Sequence, residues 1–98
     1  DIMRNRYIVS YDISEPKRLR KTFKTMRGYG DPVQYSVFVC TLSKEECVIL
    51  KTTLDSIIDH DNDRVMIVNI GPVGGQIEKT IDFMGKMVEF PEQKVVVV

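Results

Sequence analysis

The chain has 98 residues, 43% hydrophobic and 29% charged, a balance that argues against a disordered or membrane protein and leaves room for one core and one domain. No apolar run approaches the roughly 20 residues of a membrane helix and no secretory signal is visible, which predicts a cytoplasmic protein with no membrane contact. A net charge of zero argues against a generic basic nucleic-acid binder, yet eight Lys/Arg face three acids through residue 30 while six face eleven thereafter, so one end is suited to anions.

Asp1 and Ile2 precede the first methionine, Met3, and are expected to be foreign to the native chain, so the domain is taken as residues 3–98. Arg6 to Ile13 are β-branched and aromatic and apolar on both parities apart from Ser10 and Asp12, the pattern of a central strand covered on both faces. Ser14 as N-cap, Glu15 and Pro16 then start a helix whose core face is Leu19, Phe23 and Met26, stopped by Gly28 and Gly30. Pro32 to Leu42 is β-rich and reads either as one bent strand or as two short ones broken near Ser36. Within it lies Cys40. With Cys47 it makes neither a redox pair nor a zinc pattern, and both are expected to be small buried apolar residues.

Ser43 and Glu46 form an S-x-x-E capping box, followed by Cys47, Leu50, Leu54, Ile57 and Ile58 on one helical face. After the acidic turn Asp59 to Asp63, Arg64 to Ile70 predict a strand, closed by Gly71-Pro72 and Gly74-Gly75. Thr80 to Met84 predict a short strand or turn. Gln93 to Val98, after a break at Pro91, read as a final strand. The order is βαββαβ, an α+β ferredoxin-like sandwich with both helices on one face of an antiparallel sheet and an extra C-terminal strand. Apolar residues on both parities call for a cover on the second face. A second copy would supply it, with residues 91–98 pairing along the partner instead of standing as an exposed edge.

Two features carry chemistry. Asp12 ends an otherwise apolar strand; it is either a helix-capping acid or, near a symmetry axis, a carboxylate that faces its own copy and needs a cation such as Mg²⁺ or Mn²⁺ between the two. Such an ion can polarise a phosphodiester and activate water. From Lys17 to Arg27 there are six bases and no acid. On a helical wheel Lys17, Arg20, Lys21, Lys24 and Arg27 share one side, with Arg18 in the same run, and the absence of interleaved acids suits the backbone of DNA or RNA. Three motifs are discounted: Asp59 to Asp63 lacks the glycine and glutamate of a calcium loop and reads as a solvated turn, His60 has no nucleophile nearby, and Gly71 to Gly75 lacks the ending of a phosphate-binding loop.

Tyr11 to Ser14 (YDIS), then KRLRK, then Gly30, then Val33 to Phe38 (VQYSVF), at this spacing and over essentially the whole chain, resemble the CRISPR-associated protein 2 family. The resemblance implies a ferredoxin-like homodimer whose last strand crosses to the partner. It implies Mg²⁺-dependent phosphodiester cleavage in some members, with Asp12 of each subunit holding one metal, and a complex with the CRISPR integrase in which the dimer is the central spacer on DNA. By position Tyr11 and Asp12 match the strand-end pair and Ser36 and Phe38 the S-V-F element, so these residues join the nucleic-acid site. The bases after the strand match only as a cluster. One departure is Pro32, where the family often has a base. The chain also stops at four valines, so a native tail is expected to be missing.

Two functions follow as expectations: a metal-dependent nuclease centred on Asp12, acting on RNA or DNA in spacer acquisition, or a non-catalytic scaffold whose basic faces hold DNA for the integrase. A toxin-like ribonuclease of the same fold is a third, since fold alone does not decide function.

Overall fold

Tyr7, Val9 and Tyr11 alternate with Arg6, Ile8 and Ser10, and a period of two sends these sets to opposite faces of a strand. In the computed structural model, which describes residues 3–74 and 80–88, this strand is β1 (Asn5–Asp12), followed by α1 (Pro16–Arg27), β2 (Gly30–Gln34), β3 (Val37–Leu42), α2 (Lys44–Ile57) and β4 (Arg64–Pro72). The sheet runs β2-β3-β1-β4 with every neighbouring pair antiparallel. This is the expected ferredoxin-like α+β arrangement. The expected final strand, Gln93 to Val98, and Gly75 lie outside the described residues.

Only one parity of β1 is buried within the chain. Tyr7, Val9 and Tyr11 join Met26 of α1, Phe38, Cys40 and Leu42 of β3, and Cys47, Leu50 and Leu54 of α2 in one core. The opposite face carries Arg6, Ile8, Ser10 and Asp12 beside Val37, Val39 and Thr41 of β3 and Arg64, Met66 and Val68 of β4, as the strand register dictates. There Met66 and Val68 are 54% and 39% exposed. The expected cover on both faces therefore holds on the helical side, while this second face stays open to solvent at β4.

Helix α1 differs from expectation at its start and on its face. Its N-cap is Glu15, not Ser14: the Glu15 carboxylate accepts from the backbone N–H groups of Lys17 (2.9 Å) and Arg18 (2.8 Å), because Ser14 is drawn away to another partner. The buried line runs through Thr22 and Met26 with Leu19 half-buried, whereas Phe23 is 40% exposed and packs edge-on against Phe38 at 5.6 Å. The chain re-enters the sheet at Gly30, where any Cβ would meet the Val39 carbonyl oxygen and, at 2.6 Å, the Cys40 sulfur. Only glycine lets β2 lie so close to β3.

Pro32 to Leu42 is two strands broken at Tyr35-Ser36, with Ser36 in the left-handed region (φ 61°). Helix α2 opens with the expected capping box: Glu46 N–H donates to Ser43 Oγ (3.1 Å) and Ser43 N–H to Glu46 Oε1 (2.7 Å). Arg4 adds a two-pronged contact to the same carboxylate at 2.9 and 3.2 Å, and it holds the buried Glu46 carboxyl below its ordinary range. Both cysteines are buried and free. Strand β4 extends two residues beyond the expected end at Ile70, because Gly71 (φ 104°) absorbs a bulge between the pairings of Arg6 and Tyr7 instead of ending the strand. Residues 80–84, expected as a short strand or turn, join no strand.

Candidate nucleic-acid and metal site

Asp12 is the last residue of β1 and stands exposed on the open face, directly across the ladder from Arg64. Capping of α1 is carried out by Glu15, which removes the structural explanation of Asp12. Among the described residues neither the Asp12 nor the Arg64 side chain has a hydrogen-bond or ion-pair partner. One strand away, the Ser36 carbonyl accepts from Tyr11 N–H at 3.1 Å, so the tip of the β2-β3 hairpin is fastened to the residue that precedes Asp12.

The turn before β4 is more than a solvated loop. The Asp63 side chain is fully buried. Its Oδ1 accepts from both the N–H (3.0 Å) and the Oγ–H (3.1 Å) of Ser14, and its Oδ2 from Arg18 Nε (2.8 Å) and the Asp59 N–H (2.8 Å). The Arg18 guanidinium, with the backbone and Ser14 donors, holds the Asp63 carboxyl well below the usual carboxylate range. Arg18 is thus engaged with Asp63, Ser14 and Glu15, apart from the other bases of the run. Its guanidinium locks the segment after Asp12 to the segment before Arg64. Sequence periodicity offers no sign of this, since the partners are 45 residues apart.

The other five bases of the run, Lys17, Arg20, Lys21, Lys24 and Arg27, are exposed on the outer surface of α1. Arg27 lies over the Phe23 ring at 5.8 Å from its centre, a cation–π contact that orients the guanidinium on the surface. Tyr11 and Phe38 sit elsewhere. They are 6% and 0% exposed and stack at 6.2 Å within the core, and burial pushes the Tyr11 phenol up. Rings so placed support the strand end and cannot stack on a base from outside. Ser36, half-buried, shapes the hairpin tip. The sheet separates the two surfaces, with the basic stripe on the helical side and Asp12 on the open side.

No cluster of three or more His, Cys, Asp or Glu able to hold a metal occurs among the described residues. A single exposed carboxylate suits a hard divalent ion in donor type but not in number. One chain does not make a metal site; two Asp12 carboxylates from paired chains would. His60, on the surface beside Asp55 at 3.1 Å, belongs to the turn before β4. No helix among the described residues is long and apolar enough to cross a membrane.

Comparison with known proteins gives this geometry a family. Residues 4–73 match the family model described as CRISPR associated protein Cas2. The chain is 38% identical over 92 residues to a Rhodospirillum rubrum protein named CRISPR-associated endoribonuclease Cas2 1, covering 94% of this chain and 89% of that one. It is 36% identical over 69 residues to the CRISPR-associated endonuclease Cas2 of Halalkalibacterium halodurans, covering 65% and 72%. The crystal structure of Streptococcus pyogenes Cas2 superposes with a TM-score of 0.70 at 32% identity, covering 82% of this chain and 99% of that one. The match takes in both strands that flank Asp12, the basic helix and the whole of β4, and on it the chain belongs to the CRISPR-associated protein Cas2 family.

Proposed function

We propose that this protein is a homodimeric, Mg²⁺- or Mn²⁺-dependent endonuclease of RNA or DNA that works in CRISPR spacer acquisition, in the cytoplasm, alongside the CRISPR integrase. The observation that carries the reading is Asp12 itself: an exposed carboxylate with no structural task, at the end of an open sheet face, in a chain with too few acids at that place to hold an ion alone. Pairing of two open faces covers Met66 and Val68 and sets two Asp12 carboxylates against each other, an arrangement that keeps both charged only with a cation between them. An ion held there supplies Lewis acidity toward a phosphoryl oxygen and a more acidic water. The protein's own part is to present the two carboxylates on strand ends fixed by Ser14, Asp63 and the Ser36 carbonyl. The names of the relatives support hydrolysis of a phosphodiester, with RNA named for most of them, the Rhodospirillum rubrum protein among them.

A second reading is favoured by the separation of the basic stripe from Asp12. Lys17, Arg20, Lys21, Lys24 and Arg27 face outward on the helical layer, where they hold duplex DNA by its phosphates without bringing it to the carboxylates. In that reading the dimer is a DNA-bridging scaffold for the integrase.

Cleavage of labelled RNA and duplex DNA by the wild-type dimer and by Asp12→Ala, with Mg²⁺, Mn²⁺ or EDTA and with mass measured in parallel, separates the two. Metal-dependent cutting that disappears in a dimeric Asp12→Ala establishes the nuclease and its substrate. Equal cutting by both proteins, or none by the wild type, leaves the scaffold.

A further inference from the structure

We propose that Arg64 is the phosphate-holding residue of the Asp12 site, an assignment that rests on the reading of Asp12 as the metal-binding acid. Directly opposed residues of an antiparallel pair lie on one face with Cβ atoms about 4.5–5.5 Å apart, and Asp12 and Arg64 are such a pair at the open end of β1 and β4. Opposite charges so close are within reach of an ion pair. These two do not, and among the described residues Arg64 has no other side-chain partner. Both charges are left for a ligand that needs an acid and a base side by side, and a metal-bound phosphodiester is one: the cation takes the carboxylate and the anionic phosphoryl oxygens take the guanidinium fork.

The surroundings select Arg64 over the other bases. Two acids of the preceding turn are already engaged: Asp63 is filled by Ser14, Arg18 and Asp59, and Asp59 accepts from Asp61 and Asn62. The Arg18 bridge clamps the residues flanking both Asp12 and Arg64, so their spacing is set by the fold and not by the ligand. Arg6 shares the Asp12 face but lies six residues back along β1, whereas Arg64 is directly opposite Asp12, and the five exposed bases of α1 lie on the helical side of the sheet.

The test compares wild type, Arg64→Gln and Arg64→Lys as full-length dimers. It measures kcat/KM against salt on the strand that the wild type cuts, Mn²⁺ affinity without nucleic acid, and binding of labelled duplex DNA and single-stranded RNA in EDTA. The expected result is that Arg64→Gln lowers kcat/KM about tenfold and flattens its salt slope by about one. Mn²⁺ binding does not weaken, and Arg64→Lys restores most of the salt slope. Unchanged kcat/KM and slope in Arg64→Gln overturn the assignment, and so does a loss confined to Mn²⁺ affinity, which would make Arg64 a partner of Asp12 instead of phosphate. If the wild type cuts nothing, the reading of Asp12 fails separately. Weaker binding by Arg64→Gln in EDTA then keeps Arg64 as a phosphate contact, and equal binding removes it.

Discussion

Asp63 shows how far the role of an acid depends on what reaches it. Three aspartates alternate with His60 and Asn62 through residues 59–63, and on that pattern the segment reads as a loop in water. In the fold Asp63 turns inward and gathers donors from Ser14, Arg18 and Asp59. A carboxyl held below its ordinary 3.8 stabilises the fold fully above its unfolded pKa and loses that contribution as pH falls from about 4 through the lowered folded value. Glu46, lowered chiefly by Arg4, acts in the same direction. Asp63→Asn should therefore lower Tm at pH 7 and make Tm less dependent on pH below about 5, measured by thermal unfolding from pH 7 to pH 3. A variant with the wild-type acid slope would show that Asp63 is not linked to folding.

At the scale of elements, sequence is most legible where the deciding partners are neighbours in the chain. Ser43 and Glu46 stand three residues apart and find each other as a capping box. The start of α1 is misread from sequence because Ser14 and Glu15 can both cap, and what decides between them is Asp63, far along the chain. The choice between one strand and two after Pro32 is settled only by the left-handed turn at Ser36. Phe23 fits the helical core period yet sits at the margin, since the space beneath it is taken by Phe38. The outer face of α1 is legible as a whole, and it carries its own prediction. Reversing Lys21 and Lys24 to Glu should weaken duplex binding and flatten its salt slope by about one for each phosphate no longer held, read by fluorescence anisotropy. Binding that ignores both charge and salt would remove the stripe from the interface.

For the molecule as a whole, the pattern of apolar residues announces an uncovered sheet face, and Met66 and Val68 mark where it is open. The partner that would cover it cannot be read from one chain's periodicity, because half of any such interface lies on another molecule. Met66→Glu, at an exposed position of β4, should change the stability of the isolated chain by no more than about 0.5 kcal/mol and yet yield a monomer by sedimentation equilibrium. If the charge leaves a dimer intact, pairing does not use this face. Asp12 would be affected only through the loss of its counterpart.

The sheet that parts Asp12 from the α1 stripe has a consequence for descent. The two surfaces share no side chain, so substitutions on the stripe need not touch the acid, and loss of the acid leaves the stripe whole. A lineage can change either surface and keep the other, one exposed residue at a time, without its fold recording the change.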